Sequence, residues 1–158
     1  MVQNATTTHN GKAATTKKTF SRQTIVSTYI KADAAIIWAL LTDARDYPRW
    51  NTTVISIDGK IAAGEKIKLT AALAPKRVFK LTVKEFIPGE KLVWGDAMGS
   101  RTYTLTKAGN GVTLFIMDEK IGGPLFPLFA GMIPPFDDAF EQFALGLQTE
   151  AEKIMNTK

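Results

Sequence analysis

The stretch that most limits how this chain can fold is its last one, from Pro135 to Asn156. Phe136, Phe140, Phe143, Leu147 and Ile154 recur there in steps of three, four and seven, with Ala139, Ala144 and Ala151 beside them. That spacing lays a single apolar stripe along a helix. Asp137, Asp138, Glu141, Gln142, Gln148, Glu150, Glu152 and Lys153 take the remaining positions. At a rise of about 1.5 Å per residue the helix is on the order of 33 Å long, matching a strand of roughly ten residues, so it can lie across a whole sheet. Pro135 suits the first helical position, where a missing N–H costs nothing, and Asp137 and Asp138 place negative charge on the positive end of the dipole. Burying Phe136, Phe140, Phe143 and Leu147 is worth roughly 1.5–3 kcal/mol each, which together rivals the net stability of a small domain. Something broad and apolar must face this stripe.

The rest of the chain supplies a sheet. Arg22 to Lys31 is β-branched and alternating and reads as a first strand. Asp33 stands as N-cap before a short amphipathic helix carrying Ile36, Ile37, Leu40 and Leu41, and the turn-rich segment around Tyr47, Pro48 and Trp50 follows. Six strand-like runs come next, separated by turn pairs such as Asp58-Gly59, Pro88-Gly89 and Asn110-Gly111. Their loops are too short to hold crossover helices, so the order is an antiparallel meander. Alternation points Ile67, Leu69, Ala71, Leu73, Phe79, Leu81, Val83, Leu92, Trp94, Tyr103, Leu105, Leu114 and Ile116 inward. The expected fold is α+β: a seven-stranded curved antiparallel sheet around a long C-terminal helix, with two short helices after the first strand. Small residues in a bent sheet, here Ala71, Ala72 and Gly95, leave room for a cavity against a straight helix.

Composition removes several chemistries. The chain has no cysteine, and its only histidine, His9, lies in a polar N-terminal stretch, so thiolate sites, histidine catalysis and multi-histidine metal sites are set aside. Any acid or base must be Asp, Glu, Tyr or Lys; no metal or other cofactor is expected. The net charge of +5 sits at one end: Lys12, Lys17, Lys18, Arg22 and Lys31 precede the first acid, Asp33, leaving 15 cations to balance 15 acids. A neutral body argues against nucleic acid as a partner. Residues 1–21 read as a disordered basic tail and 22–158 as the folded domain. No apolar run reaches membrane-span length and none resembles a signal h-region, so a cytoplasmic location is expected.

The block "ADAAIIWALLTDARDYPRWN", with Asp43, Tyr47, Pro48, Trp50 and Asn51, together with "GEKLVWGD", "GNGVTLFIMDEKIGG" and the Phe-rich final helix, resembles the START-like or Bet v 1-like SRPBCC superfamily, specifically its polyketide cyclase/dehydrase and lipid-transport group. The resemblance runs from about Arg22 to Asn156. It implies a helix-grip fold with an apolar cavity under the last helix, holding a lipid, polyketide or similar aromatic molecule. Members include carriers, cyclases and protein-interaction modules, so binding or carrying leads, a cyclase or dehydratase activity is the alternative, and a protein partner stays open.

Candidate ligand-binding residues follow from the inward set: Phe79, Leu81, Trp94 and Tyr103 on strands, Phe136 and Phe140 on the helix, and Phe126, Phe129 and Met132 in the proline-broken apolar link before it. The same aromatics would equally serve as plain core, and the link as ordinary packing at the helix entrance. Asp96, Arg101 and Asp118 share the parity of Trp94, Tyr103 and Ile116. A Tyr103–Asp118 pair at the pocket rim would suit proton transfer, with Tyr103 donating and the carboxylate as base; a solvated salt bridge is the other reading. Glu85 shares the inward parity of Val83 and stands with them.

Overall fold

The computed structural model describes residues 9–158; the first part of the basic tail lies outside the described residues. Eight strands form one antiparallel sheet: β1 (Ala14–Lys17), β2 (Ser21–Ile30), β3 (Val54–Asp58), β4 (Lys66–Ala71), β5 (Phe79–Ile87), β6 (Lys91–Gly95), β7 (Gly99–Gly109) and β8 (Val112–Gly122). Their order is β1-β2-β8-β7-β6-β5-β4-β3. Two short helices, α1 (Ala34–Thr42) and α2 (Tyr47–Trp50), follow β2, α3 (Phe126–Phe129) interrupts the apolar link, and α4 (Asp137–Asn156) closes the chain. This is the helix-grip architecture, with one strand more than the sequence suggested.

The extra strand corrects the expectation of a disordered tail to residue 21. β1 pairs with β2 from Ala14↔Ile25 to Lys17↔Arg22. This segment also reaches α4: the backbone amide of Ala13, just before β1, donates to Glu141 Oε1 at 3.2 Å and the Thr15 hydroxyl to Asp137. A polar, threonine-rich segment carries little hydrophobic signal of its own; partners 122 and 128 residues away hold it. At the helix start the correction is small. α4 begins at Asp137, with Phe136 as N-cap, rather than at Pro135.

α4 rests mainly on β2, α1, α2 and β8. Beneath it lies a cluster of rings. Phe143 is 1% exposed and stands 5.6 Å from Tyr103, 5.7 Å from Trp50, 6.2 Å from Tyr47 and 6.3 Å from Phe115. Trp94 meets Tyr103 edge-on at 5.1 Å. Tyr47 donates its hydroxyl to the Leu41 carbonyl at 2.7 Å, which ties α2 to α1 across the otherwise apolar floor. Trp50 thus fills the corner where α2 meets α4, against Tyr47 and Phe143.

Three expectations about strand faces fail, two of them at a bulge. In β8 the buried residues are Thr113, Phe115 and Met117, not Leu114 and Ile116. A plain two-residue turn at Asn110-Gly111 would continue the pairing Gly109↔Val112; instead the register shifts between Lys107 and Gly109, and Tyr103 comes to face Met117. One inserted residue moves every later side chain of the strand to the other face. In β5 the shift between Val83 and Glu85 turns Glu85 outward, where it pairs with Lys91 at 2.8 Å, and brings Phe86 inward against Trp38. Leu73, just past the end of β4, is 46% exposed instead of inward.

Candidate functional site

The inner face of the sheet carries a polar row among its apolar ones. Register places Trp94, Arg101, Glu119, Thr24 and Thr15 side by side across β6, β7, β8, β2 and β1. Thr15 and Thr24 share a hydrogen bond of 2.9 Å, and Asp137 of α4 accepts from Thr15. Arg101 Nε lies 3.4 Å from Glu119 Oε1, and Arg101 Nη2 donates to Glu119 Oε2 at the same distance. Charge-assisted bonds of full strength are nearer 2.8 Å, so this pair is loosely engaged. The Arg101 guanidinium also lies over the Phe140 ring at 5.0 Å and reaches the Phe143 ring at 5.9 Å.

Arg22 sits at the edge of this row and is buried. It donates from Nη1 to the Ile133 carbonyl at 3.2 Å and from Nη2 to the Pro134 carbonyl at 2.8 Å, with its plane over Phe136 at 4.5 Å. Burial lowers its pKa from the ordinary arginine value, opposed by Glu119 and Asp137. For Arg101 burial also works against the charge, yet Glu119 and the Tyr103 phenol hold its pKa above the ordinary value. Both guanidinium groups stay charged inside the domain.

Tyr103 is fully buried, and its hydroxyl has no hydrogen-bond partner among the described residues. Burial pushes its pKa up to about 12 while the neighbouring Arg101 pulls the other way. Tyr47 is raised as well, by burial first and by Tyr103 second. A folded-state pKa above the unfolded value means stability that is intact below pH 10 and lost as pH rises toward 12. Urea melts should therefore give a constant unfolding free energy from pH 7 to 9 and a declining one from pH 10 to 12, with a shallower decline in Tyr103→Phe.

The sequence-named residues divide as follows. Trp94, Tyr103 and Phe140 come together, but as closed core, at 2%, 0% and 1% exposure. Phe140 therefore stands with Phe143 and Leu147 in the packed centre. Phe136 is half-buried, stacked on Phe140 at 6.1 Å. Phe126 is buried against Phe129, whereas Met132 is 79% exposed. Asp118 is corrected to the outer face, where Gln23 Nε2 donates to both of its oxygens at 2.9 Å, so no Tyr103–Asp118 pair forms. Asp96 caps the β6–β7 turn by accepting from the Met98 and Gly99 amides. Glu119 is the carboxylate that enters, and the sequence reading missed it because the β7–β8 bulge is invisible to alternation. Arg22 and Thr24 were missed too, although their spacing with Val26, Thr28 and Ile30 in β2 carries the signal.

Phe79 and Leu81 keep the inward direction expected of them, opposite Leu69 and Ile67. They are only half-buried, because α4 lies toward β2 and β8 and leaves this side of the sheet less covered. At the same end, Leu73 and Val78 flank the β4–β5 loop, Met98 tips the β6–β7 turn, and Phe20, Leu125 and Leu128 border the link, all more than 39% exposed. The Gly122 amide donates to the Met98 carbonyl and the Gly123 amide to that of Phe20, which fixes the link beside both. Two surface grooves, of about 280 and 270 Å³, lie elsewhere, over Lys66, Lys68 and Lys80 and beside Arg49 and Gly146. No helix among the described residues is long and apolar enough to cross a membrane, and no group of three or more His, Asp or Glu gathers there to hold a metal.

Solved structures share this arrangement. Protein MLL2253 from Mesorhizobium loti is 21% identical, with a TM-score of 0.65 over 84% of this chain and 98% of that one. A START superfamily protein from Mycobacterium smegmatis is 17% identical, with a TM-score of 0.61 over 84% and 98%. CalU16 from Micromonospora echinospora is 16% identical, with a TM-score of 0.58 over 92% and 91%. At such identities the likeness is one of fold. No curated protein matches the chain. Residues 22–152 match the family described as polyketide cyclase / dehydrase and lipid transport, a span that includes the Tyr-Pro-x-Trp block, the polar row from Thr24 to Trp94 and most of α4. With that match and the helix-grip fold together, the chain belongs to this family, within the START-like SRPBCC superfamily.

Proposed function

We propose that this domain binds and carries a small hydrophobic molecule, a lipid, polyketide or similar aromatic, on the inner face of the sheet beside α4. One observation carries the reading: the inward wall of Ala71, Phe79 and Leu81 is apolar yet incompletely covered, and the loops and turns at this end of the strands carry the exposed side chains of Leu73, Val78, Met98, Leu125 and Leu128. An apolar wall left open to water costs roughly 25 cal/mol for each Å² that an occupant would cover. Binding sites for small molecules are mostly apolar and have a few polar groups at one side, here Arg101 and Tyr103. The aromatic packing under Phe143 closes the deeper interior, so the bound molecule enters from the β5 side. Carriage is favoured over catalysis because Asp118, the base paired with Tyr103 in the catalytic alternative, faces outward, and Glu119, the carboxylate that enters in its place, is paired with Arg101.

The test begins with the purified protein. Native mass spectrometry and solvent extraction should find a retained hydrophobic molecule, and adding it back at about 100 times its Kd should stabilise the fold by about 2.7 kcal/mol. Leu81→Asn should abolish that stabilisation while leaving the unliganded melt close to wild type, because Leu81 is only half-buried. Retention of no small molecule, together with no thermal shift across fatty acids and bicyclic aromatics, would overturn the reading.

A further inference from the structure

The charge of the body balances in sum but not in place. Residues 59–84 hold seven Lys and Arg against one acid, Glu65, whereas α4 holds five acids against one cation, Lys153. Lys66 and Lys68 of β4 and Lys80 and Lys84 of β5 alternate with inward residues, so they stand on the outer face of the sheet, away from α4. Lys76 and Arg77 sit on the loop that joins these strands. All six are exposed, and none is in an ion pair among the described residues. Lys68 lies directly across from Lys80, and like charges placed opposite each other destabilise a sheet. Asp58 is across from Lys68 on the other side, without an ion pair between them. The groove of about 280 Å³ over Asp58, Lys66, Lys68 and Lys80 opens on this face. A surface that accepts such repulsion is fitted to an anionic partner.

The neighbours of these cations say which partner. Leu73 and Val78 flank the β4–β5 loop and Ile55 stands in the bulge of β3 beside β4, all three exposed. The hairpin shows no exposed aromatic ring, for Phe79 is half-buried with the Arg77 guanidinium over it at 4.5 Å. Nucleic-acid bases need rings to stack on, whereas cations mixed with aliphatic side chains suit the boundary of a bilayer. We propose that the outer face of the β4–β5 hairpin docks on a lipid surface with anionic head groups. Lys66, Lys68 and Lys80 meet the head groups, and Leu73 and Val78 enter the interface beside them. The acids of α4, on the opposite side of the sheet, are repelled by the same surface and turn the domain hairpin first. This docking goes beyond the carrier reading and does not rest on it.

Flotation of the full chain with vesicles tests it. Vesicles of phosphatidylcholine with about 30% phosphatidylserine should bind the protein about ten-fold or more above phosphatidylcholine alone, and salt at about 0.5 M should release it. Lys80→Glu reverses one charge and should weaken binding on the order of ten-fold. The same change sets opposite charges across the Lys68 pair, so its thermal melt should be no lower than that of the wild type. Leu73→Asn combined with Val78→Asn should weaken binding a few-fold and leave the salt dependence unchanged. Equal binding to the two kinds of vesicle, or undiminished binding by a Lys80→Glu chain that melts like wild type, would overturn the proposal. Tighter capture by poly-uridylate or poly-glutamate than by the anionic vesicles at the same salt would overturn it as well, and would assign the face to nucleic acid or to an acidic protein. None of these results bears on whether a small molecule is held on the inner face.

Discussion

Phe143→Ala is expected to lower the unfolding free energy by about 3–5 kcal/mol, the range for removing a fully buried aromatic side chain. Against a total of about 5–15 kcal/mol for a domain of this size, that is a large share. The expectation is at the top of the range for a geometric reason. Phe143 touches Tyr47 and Trp50 from the short helices and Tyr103 and Phe115 from the sheet, so it is where three parts of the fold meet. Those four neighbours belong to three elements, α2, β7 and β8, and cannot collapse together into the space left behind. Urea titration followed by tryptophan fluorescence would measure the loss, with Trp50 reporting directly from 5.7 Å away. A loss below about 1 kcal/mol would mean that the rings repack and that the cluster is softer than its spacing implies.

Gly146→Ala should go against the usual sign for a helix. In an exposed helix interior, alanine for glycine stabilises by about 1 kcal/mol. Gly146 instead lies where α4 crosses α2, and a Cβ there would stand 2.6 Å from the Trp50 carbonyl oxygen, a backbone atom that cannot rotate away. The helices must separate to admit it, at a cost typical of overpacking, about 1–3 kcal/mol. Separation also loosens Trp50 and Phe143, so the effect is not confined to one contact. A melt of Gly146→Ala next to an exposed control such as Leu145→Ala would test this; a stabilised Gly146→Ala would show that α4 can slide on α2 freely.

The architecture was legible because its signals are repeated many times. The stripe from Phe136 to Ile154 has several members, each strand has two or three, and the turn pairs at Asp58-Gly59, Pro88-Gly89 and Asn110-Gly111 punctuate them, so a single misreading leaves the order of elements intact. The site was less legible because it depends on single residues. One inserted residue near Lys107 exchanged Asp118 for Glu119 as the inward carboxylate, and another near Val83 sent Glu85 to the surface. Alternation carries no record of where it breaks. β1 was hidden for a different reason: its threonines gain their place from Thr24 and Asp137, partners that no local pattern announces. Tyr103, Trp94, Phe79 and Leu81 were placed correctly because their strands run unbulged up to those residues.

The pairing of β1 with β2 also bears on what counts as the unit of folding. Residues 22–152, the span common to the family, would make β2 an edge strand, with Arg22, Thr24 and the amides facing β1 left without their neighbour. A ten-residue strand with a bare hydrogen-bonding margin is a template for another chain. In the longer chain that margin is occupied from within, by four residues that contribute almost nothing to the core. The edge on this side is then a strand of four residues, which offers a second copy fewer positions to pair with than a bare β2 would.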